Sequence, residues 1–158
     1  RVQNDEKSFE RIEVERPFRI VLANSGVTAD TSKLNDFVLS LKAEDPDLFA
    51  ERCRLITEQS LAMRTALERY DLKTVGSLMT ANHGILIEMC LSHDILVDLA
   101  DRALFMGALG AKLSGGGRGG YMLALTPEEE VQELVASTFE NDGYAVMRAT
   151  IGAAPTEP

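Results

Sequence analysis

The first strong hydrophobic pattern along the chain is a short apolar, β-branched run, Pro17-Phe18-Arg19-Ile20-Val21-Leu22-Ala23, which predicts a strand ending at Asn24-Ser25-Gly26. Thr28-Ala29-Asp30-Thr31 then offers N-cap side chains, and Leu34, Phe37, Val38 and Leu41 follow at helical spacing. Glu44-Asp45-Pro46-Asp47 ends that helix and starts another, since proline lacks only an N–H that a first turn leaves unbonded. Leu48, Phe49, Ile56, Met63, Ala66 and Leu67 give the second helix an apolar face as far as Tyr70. Asp71 is expected to cap a third helix with the stripe Leu72, Val75, Met79, Asn82, Leu86 and Met89. Ser92 is expected to cap a fourth, carrying Leu96, Leu99, Ala103 and Met106.

After Gly107 the period changes. Ala111-Lys112-Leu113-Ser114 and Tyr121-Met122-Leu123-Ala124-Leu125 read as strands on either side of a glycine run. Pro127 opens a helix with Glu128, Glu129 and Glu130 in its first turn, where negative charge suits the helix dipole. Val131, Leu134, Val135, Thr138 and Phe139 are its expected inner face, Asn141-Asp142-Gly143 its stop, and Tyr144 to Ile151 a last strand; the tail from Ala153 to Pro158 is expected to fray. Strand, four helices, two strands, helix, strand makes one α+β domain, four strands with most helices on one face.

The length of 158 residues suits such a domain, and 45% hydrophobic with 26% charged residues is ordinary for a globular chain. No apolar run is long enough to span a bilayer, and the polar Arg1-Val2-Gln3-Asn4-Asp5-Glu6 is no signal peptide, so a cytoplasmic location is expected. The first residue is Arg1 rather than Met, which points to a missing upstream portion. A net charge of −9 argues against nucleic acid or an anionic membrane as the main partner. Cys53 and Cys90 lie in apolar helical stretches and are expected to be buried free thiols.

One segment exceeds what folding needs. Ser114-Gly115-Gly116-Gly117-Arg118-Gly119-Gly120 holds five glycines in seven residues, whereas a tight hairpin needs two turn residues and each glycine costs up to about 1 kcal/mol in regular structure. Successive N–H groups in such a loop can form a nest for phosphate, and a flexible hairpin is the competing reading. It is not a Walker A loop, which needs Lys-Ser or Lys-Thr and then a helix, nor a dinucleotide fingerprint, because a strand follows. Spacing elsewhere is uninformative. His83, Cys90 and His93 match no common zinc pattern, and no nucleophile–base pairing can be argued. Glu128-Glu129-Glu130 reads as a helix start, and Met63, Met79, Met89 and Met106 as core. Asn82 reads as a hydrogen-bonded core polar group near a loop, or as a substrate-side residue.

Gly110-Ala111-Lys112-Leu113-Ser114-Gly115-Gly116-Gly117-Arg118-Gly119-Gly120 resembles the third conserved motif of the GHMP kinases, Gly-Ala/Ser-Lys-Leu-Thr/Ser-Gly-Ala-Gly-Gly-Gly-Gly. Three further segments are similar to those of the mevalonate kinases within that family: Asn82-His83-Gly84-Ile85-Leu86 with Leu91-Ser92-His93 and Leu96, Val21 to Gly26 with Thr31-Ser32-Lys33-Leu34, and the closing Thr150-Ile151-Gly152-Ala153. The matches keep their order over nearly the whole chain.

The resemblance implies a four-stranded antiparallel sheet covered by helices, the ferredoxin-like C-terminal domain of that family, over residues 1–158. It implies that Ser114 and the amides of Gly115, Gly116 and Gly117, with Arg118 and Gly119 in the same loop, shape the site at the phosphates and substrate. Thr31 would bond a catalytic-site lysine of the other domain. Two departures stand out: Arg118 replaces a usual glycine, either offering charge to phosphate or pointing to solvent, and Tyr121 replaces a frequent cysteine. Gly116 in place of alanine removes a methyl near the expected substrate pocket. The family's Pro-x-x-x-Gly-Leu-Gly-Ser-Ser-Ala phosphate loop does not occur here, and its catalytic Asp and Lys belong to the N-terminal domain. The expected partner is therefore an N-terminal kinase domain, a partner chain or a second copy, and this chain alone is expected to be inactive. The implied reaction of the whole is transfer from ATP, with Mg2+, to the 5-hydroxyl of mevalonate. Phosphomevalonate kinase, mevalonate 3-kinase, diphosphomevalonate decarboxylase and a non-catalytic binding or assembly module are the alternatives.

Overall fold

The computed structural model describes Val2–Gln3, Glu6–Lys7, Ile12 and residues 14–152; the tail expected to fray lies outside the described residues. Strands β1 (Val2–Gln3) and β2 (Glu6–Lys7) form a two-residue antiparallel ribbon. The main sheet contains β3 (Phe18–Asn24), β4 (Gly110–Ser114), β5 (Tyr121–Thr126) and β6 (Val146–Ile151), in the spatial order β4-β5-β3-β6 with every pair antiparallel. The expected α+β class and four-stranded antiparallel sheet are both present.

The register sorts side chains onto two faces. Val21 stands opposite Ala124 and Arg148, Ala23 opposite Met122 and Val146, and Leu113 opposite Met122. Because strand side chains alternate, Val21, Ala23, Ala111, Leu113, Met122 and Ala124 share one face, all buried. Helices α4 (Asp94–Phe105) and α5 (Glu129–Asn141) cover it with Leu96, Leu99, Ala103, Val135, Ala136 and Phe139. Burying each large side chain of this kind stabilises the fold by about 1.5–3 kcal/mol. On the other face, α2 (Pro46–Glu68) and α3 (Leu72–Glu88) pack Ala66, Val75 and Met79 against Leu125, with Ile20 and Leu123 alongside. Helix α1 (Thr31–Glu44) lies against α2.

Local chemistry sets these helix ends. Asp30 accepts from the Ser32 and Lys33 amides to start α1. Asp45 ends α1 through its own N–H to the Leu41 carbonyl and starts α2 by accepting from the Leu48 amide, with Pro46 next to it. Asp71 accepts from both the Thr74 amide and its hydroxyl, contacts that hold its carboxyl below the usual range. Arg148 of β6 straps α5 to the sheet through Glu133 and Glu140, and Gln132 donates to the Ile20 and Ala149 carbonyls beneath it.

Several expectations need correction. Helices cover both faces of the sheet and not mainly one, because β3 and β5 are apolar on both sides and Ile20, Leu123 and Leu125 meet α2 and α3. The cap of α4 is His93, whose Nδ1 accepts from the Ile95 amide 3.2 Å away, rather than Ser92. The Ser92 hydroxyl is buried with no hydrogen-bond partner among the described residues. Helix α5 is rolled so that Gln132, Val135, Ala136 and Phe139 are buried while Leu134 is 50% exposed. Its first residue is Glu129, and the last strand begins at Val146 rather than Tyr144. Cys53 and Cys90 are free but exposed: Cys53 lies on an outward side of α2, and Cys90 follows α3 with φ +54°. Apolar neighbours in sequence overstated the burial of both.

Candidate functional site

The glycine run joins β4 to β5 and folds back over two other segments. Gly120 donates to the Val27 carbonyl at 2.9 Å, and the Ser25 amide donates to Gly120 at 2.8 Å, which fastens the loop to the chain leaving β3. At its outer end the Arg118 amide donates 2.8 Å to the Leu91 carbonyl, in the turn between α3 and α4. Two positions show why side chains are excluded. Gly117 has φ +97°, and a Cβ there would stand 2.0 Å from the Leu91 carbonyl oxygen; at Gly119 it would stand 2.5 Å from that of Val27. The loop is therefore a docked structure and not a slack hairpin.

Between the loop and residues 24–34 lies an open cleft of about 440 Å3. Ser114, Gly115, Gly116, Gly117 and Gly119 line one wall, and Thr31 and Leu34 from the start of α1 line the other. The structure thus brings Thr31 together with every glycine-loop residue carried over from the resemblance except Arg118, while Asn82 lies elsewhere. The N–H groups of Gly115, Gly116 and Gly117 donate to no acceptor among the described residues. Unbonded successive amides beside a cleft can bind an anion. The Thr31 and Ser114 hydroxyls likewise make no hydrogen bond among the described residues. The amides of Ser32 and Lys33 are already taken by Asp30, so the helix end offers less than the loop does.

Arg118, an exposed residue, is the exception. It does not line the cleft. Its φ is +56°, its Nε donates 3.0 Å to the Cys90 carbonyl, and its guanidinium carbon lies 3.7 Å from the centroid of the Phe37 ring. Gly116 is also explained: a Cβ there would sit 2.7 Å from Leu34 Cδ2, so Leu34 fills space the usual alanine would claim. Tyr121 is 39% exposed at the first position of β5; nothing in the structure explains its replacement of cysteine.

The wider neighbourhood is polar but mostly structural. Asn82, half-buried, donates to Gln59 Oε1 at 3.1 Å, linking α3 to α2 rather than reaching a loop. His83 is 5% exposed, and its Nδ1 accepts from the Leu113 amide at 3.1 Å, tying α3 to the outer edge of β4. Burial first, and then the nearby charge of Lys112, lower its pKa, with Asp101 acting the other way. Lys112 is half-buried, and burial lowers its pKa too.

Chemically, the cleft offers amides and hydroxyls and nothing charged: none of its lining residues is acidic or basic. Among the described residues there is no cluster of three or more His, Cys, Asp or Glu side chains able to hold a metal ion. It can cradle an anion, but it supplies no general base and no cation of its own.

The family model for the C-terminal region of GHMP kinases matches residues 63–145, more than half of the chain. The chain belongs to the GHMP kinase C-terminal family. As a GHMP kinase domain it is 35% identical over 138 residues to a mevalonate kinase of Thermococcus sibiricus, covering 82% of this chain and 40% of that protein. It is 32% identical over 129 residues to one of Thermococcus gammatolerans, covering 75% and 37%. Its fold superposes on the crystal structure of L. major mevalonate kinase in complex with R-mevalonate with a TM-score of 0.91 at 28% identity, covering 99% of this chain and 49% of that one. The GHMP domain therefore spans at most about half the length of these relatives. No helix among the described residues is long and apolar enough to cross a membrane.

The pattern alone missed the residues that hold the loop. Leu34 reads as a helix-face position, and Leu91 and Val27 act through backbone oxygens, which leave no trace in side-chain identity.

Proposed function

We propose that this domain is the C-terminal half of an ATP-dependent mevalonate kinase, which transfers the γ-phosphoryl group of ATP to the 5-hydroxyl of mevalonate. The observation that carries the reading is the cleft: Gly115, Gly116 and Gly117, whose successive amides are unbonded among the described residues, line it together with Thr31, in a chain similar to mevalonate kinases along most of its length. The loop amides are suited to hold phosphoryl oxygens, and Ser114 and Thr31 to orient what lies between them. Phosphoryl transfer depends on positioning and on stabilising charge. A cleft without a charged side chain cannot supply that charge, so the base, the cation and the main phosphate-binding loop belong to a second domain covering this cleft. Magnesium, which neutralises phosphate charge in such reactions, would arrive with the nucleotide and ligands outside this domain. A cytoplasmic location and a docked N-terminal domain or partner chain complete the proposal.

The test is a substrate panel on the full-length protein: ATP with R-mevalonate, phosphomevalonate, diphosphomevalonate and galactose, the product fixed by mass and 31P spectra. Phosphate on the 5-hydroxyl of mevalonate supports the reading. Turnover confined to phosphomevalonate or diphosphomevalonate would move the protein elsewhere in the family. No turnover with any of them, in a folded full-length protein, would leave a non-catalytic binding module.

A further inference from the structure

Where the resemblance places a glycine, this chain has Arg118, and the structure gives that residue three contacts away from the cleft. Its backbone N–H is bonded to Leu91, its Nε to Cys90, and its guanidinium stacks on Phe37. Phe37 lies on α1, the helix whose first turn carries Thr31 and Leu34 on the opposite wall of the cleft. Leu34 and Phe37 are three residues apart and so share a helix face; one meets the loop at Gly116 and the other at Arg118. The loop and α1 are thus joined at two points, and Arg118 carries the outer one.

We propose that Arg118 is a positioning residue, a strut that ties α1 to the glycine loop and so fixes the width of the cleft between Thr31 and the Gly115–Gly117 amides. A guanidinium can do this where lysine does less well: its planar face stacks on the ring while an edge N–H reaches a carbonyl. The left-handed backbone at Arg118 aims the side chain outward to Phe37, so the same feature that admits arginine at a glycine position also keeps its charge off the phosphate. The kinetic part of the test rests on the kinase reading; the structural part does not.

The test uses Arg118→Asn, since asparagine tolerates left-handed φ and glycine would add backbone freedom of its own. Beside it stand Phe37→Leu, the double variant and Arg118→Lys, all in the full-length protein. Hydrogen exchange at the Gly120 and Ser25 amides, both bonded across the base of the cleft, is expected to quicken about tenfold in each single variant. The double variant is expected to be no worse than either single, and Arg118→Lys intermediate. Nucleotide KM is expected to rise about tenfold with kcat nearly unchanged, because a loop that must be ordered on binding weakens binding. Unchanged exchange in a folded Arg118→Asn variant, or effects of Arg118 and Phe37 that simply add, would overturn the strut. A fall in kcat without faster exchange would overturn it in favour of direct phosphate contact. If the wild type turns over no substrate, the kinase reading fails and the exchange data still decide the strut.

Discussion

Gly76 and Gly110 bring α3 against the start of β4 at backbone distance. A Cβ on Gly76 would lie 2.1 Å from the Leu109 oxygen, and one on Gly110 would lie 2.1 Å from the Gly76 oxygen. The contact sets how far α3 stands from the strand that leads into the glycine loop, and neither side can yield, because both are backbone.

Gly76→Ala and Gly110→Ala are therefore each expected to destabilise the protein by about 1–3 kcal/mol, the cost of overpacking a core. Alanine would otherwise favour the helix at Gly76 by up to about 1 kcal/mol, so the sign is informative. Urea denaturation checks it: an unchanged or raised midpoint for Gly76→Ala would mean the two backbones are further apart.

His83 makes stability depend on pH. The unfolded chain protonates this side chain near 6.5, while burial holds the folded imidazole neutral at lower pH. Stability is then lost as pH falls through 6.5 towards the folded value, where the loss levels off. His83→Asn keeps an oxygen near Nδ1 to accept from Leu113 and cannot titrate. Denaturation midpoints at pH 7.5 and 5.5 are expected to differ less in this variant than in the wild type; equal differences would assign the pH dependence to other groups.

Lys112 has no ion pair or hydrogen bond among the described residues, and burial disfavours its charged form. Lys112→Met keeps the chain length, removes the desolvated charge and places a thioether near Met63 and Met79. Its thermal midpoint is expected to equal or exceed that of the wild type. A clear drop would show that the amine has a partner in the full-length protein, and lost activity without lost stability would give Lys112 a role in the reaction.

The exposure of Cys53 and Cys90 predicts that both react with a thiol reagent in the native state. Titration without denaturant is expected to give two thiols per chain from these positions. Labelling at neither without denaturant would place both inside the fold or an interface.

Much of this architecture was legible in the sequence for identifiable reasons. Asp45-Pro46 and Asp71 are chemically clear helix starts, and the short apolar runs at Phe18–Asn24 and Tyr121–Thr126 suit strands of a sheet covered on both faces. The glycine run marked a loop with more glycine than a turn needs, without deciding between an anion nest and a flexible hairpin, and Ser114, Gly115, Gly116 and Gly117 meet Thr31 at one cleft. What stayed hidden depends on contacts distant in sequence. The roll of α5 that exposes Leu134 follows from Gln132 bonding β3 and β6. His93 takes the cap from Ser92 through its Nδ1, an acceptor that cap preferences undervalue. The path of Arg118 depends on Phe37, 81 positions earlier in the chain, and no local pattern connects the two.

The most direct measurement is an amide chemical-shift map of the full-length protein titrated first with R-mevalonate and then with a non-hydrolysable ATP analogue. The account predicts the largest changes within this domain at residues 114–120 and at Thr31, with the β2–β1 ribbon and the outer face of α5 unmoved. Saturating ligand that leaves the Gly115, Gly116 and Gly117 amides unshifted would contradict it and take the cleft out of the reaction.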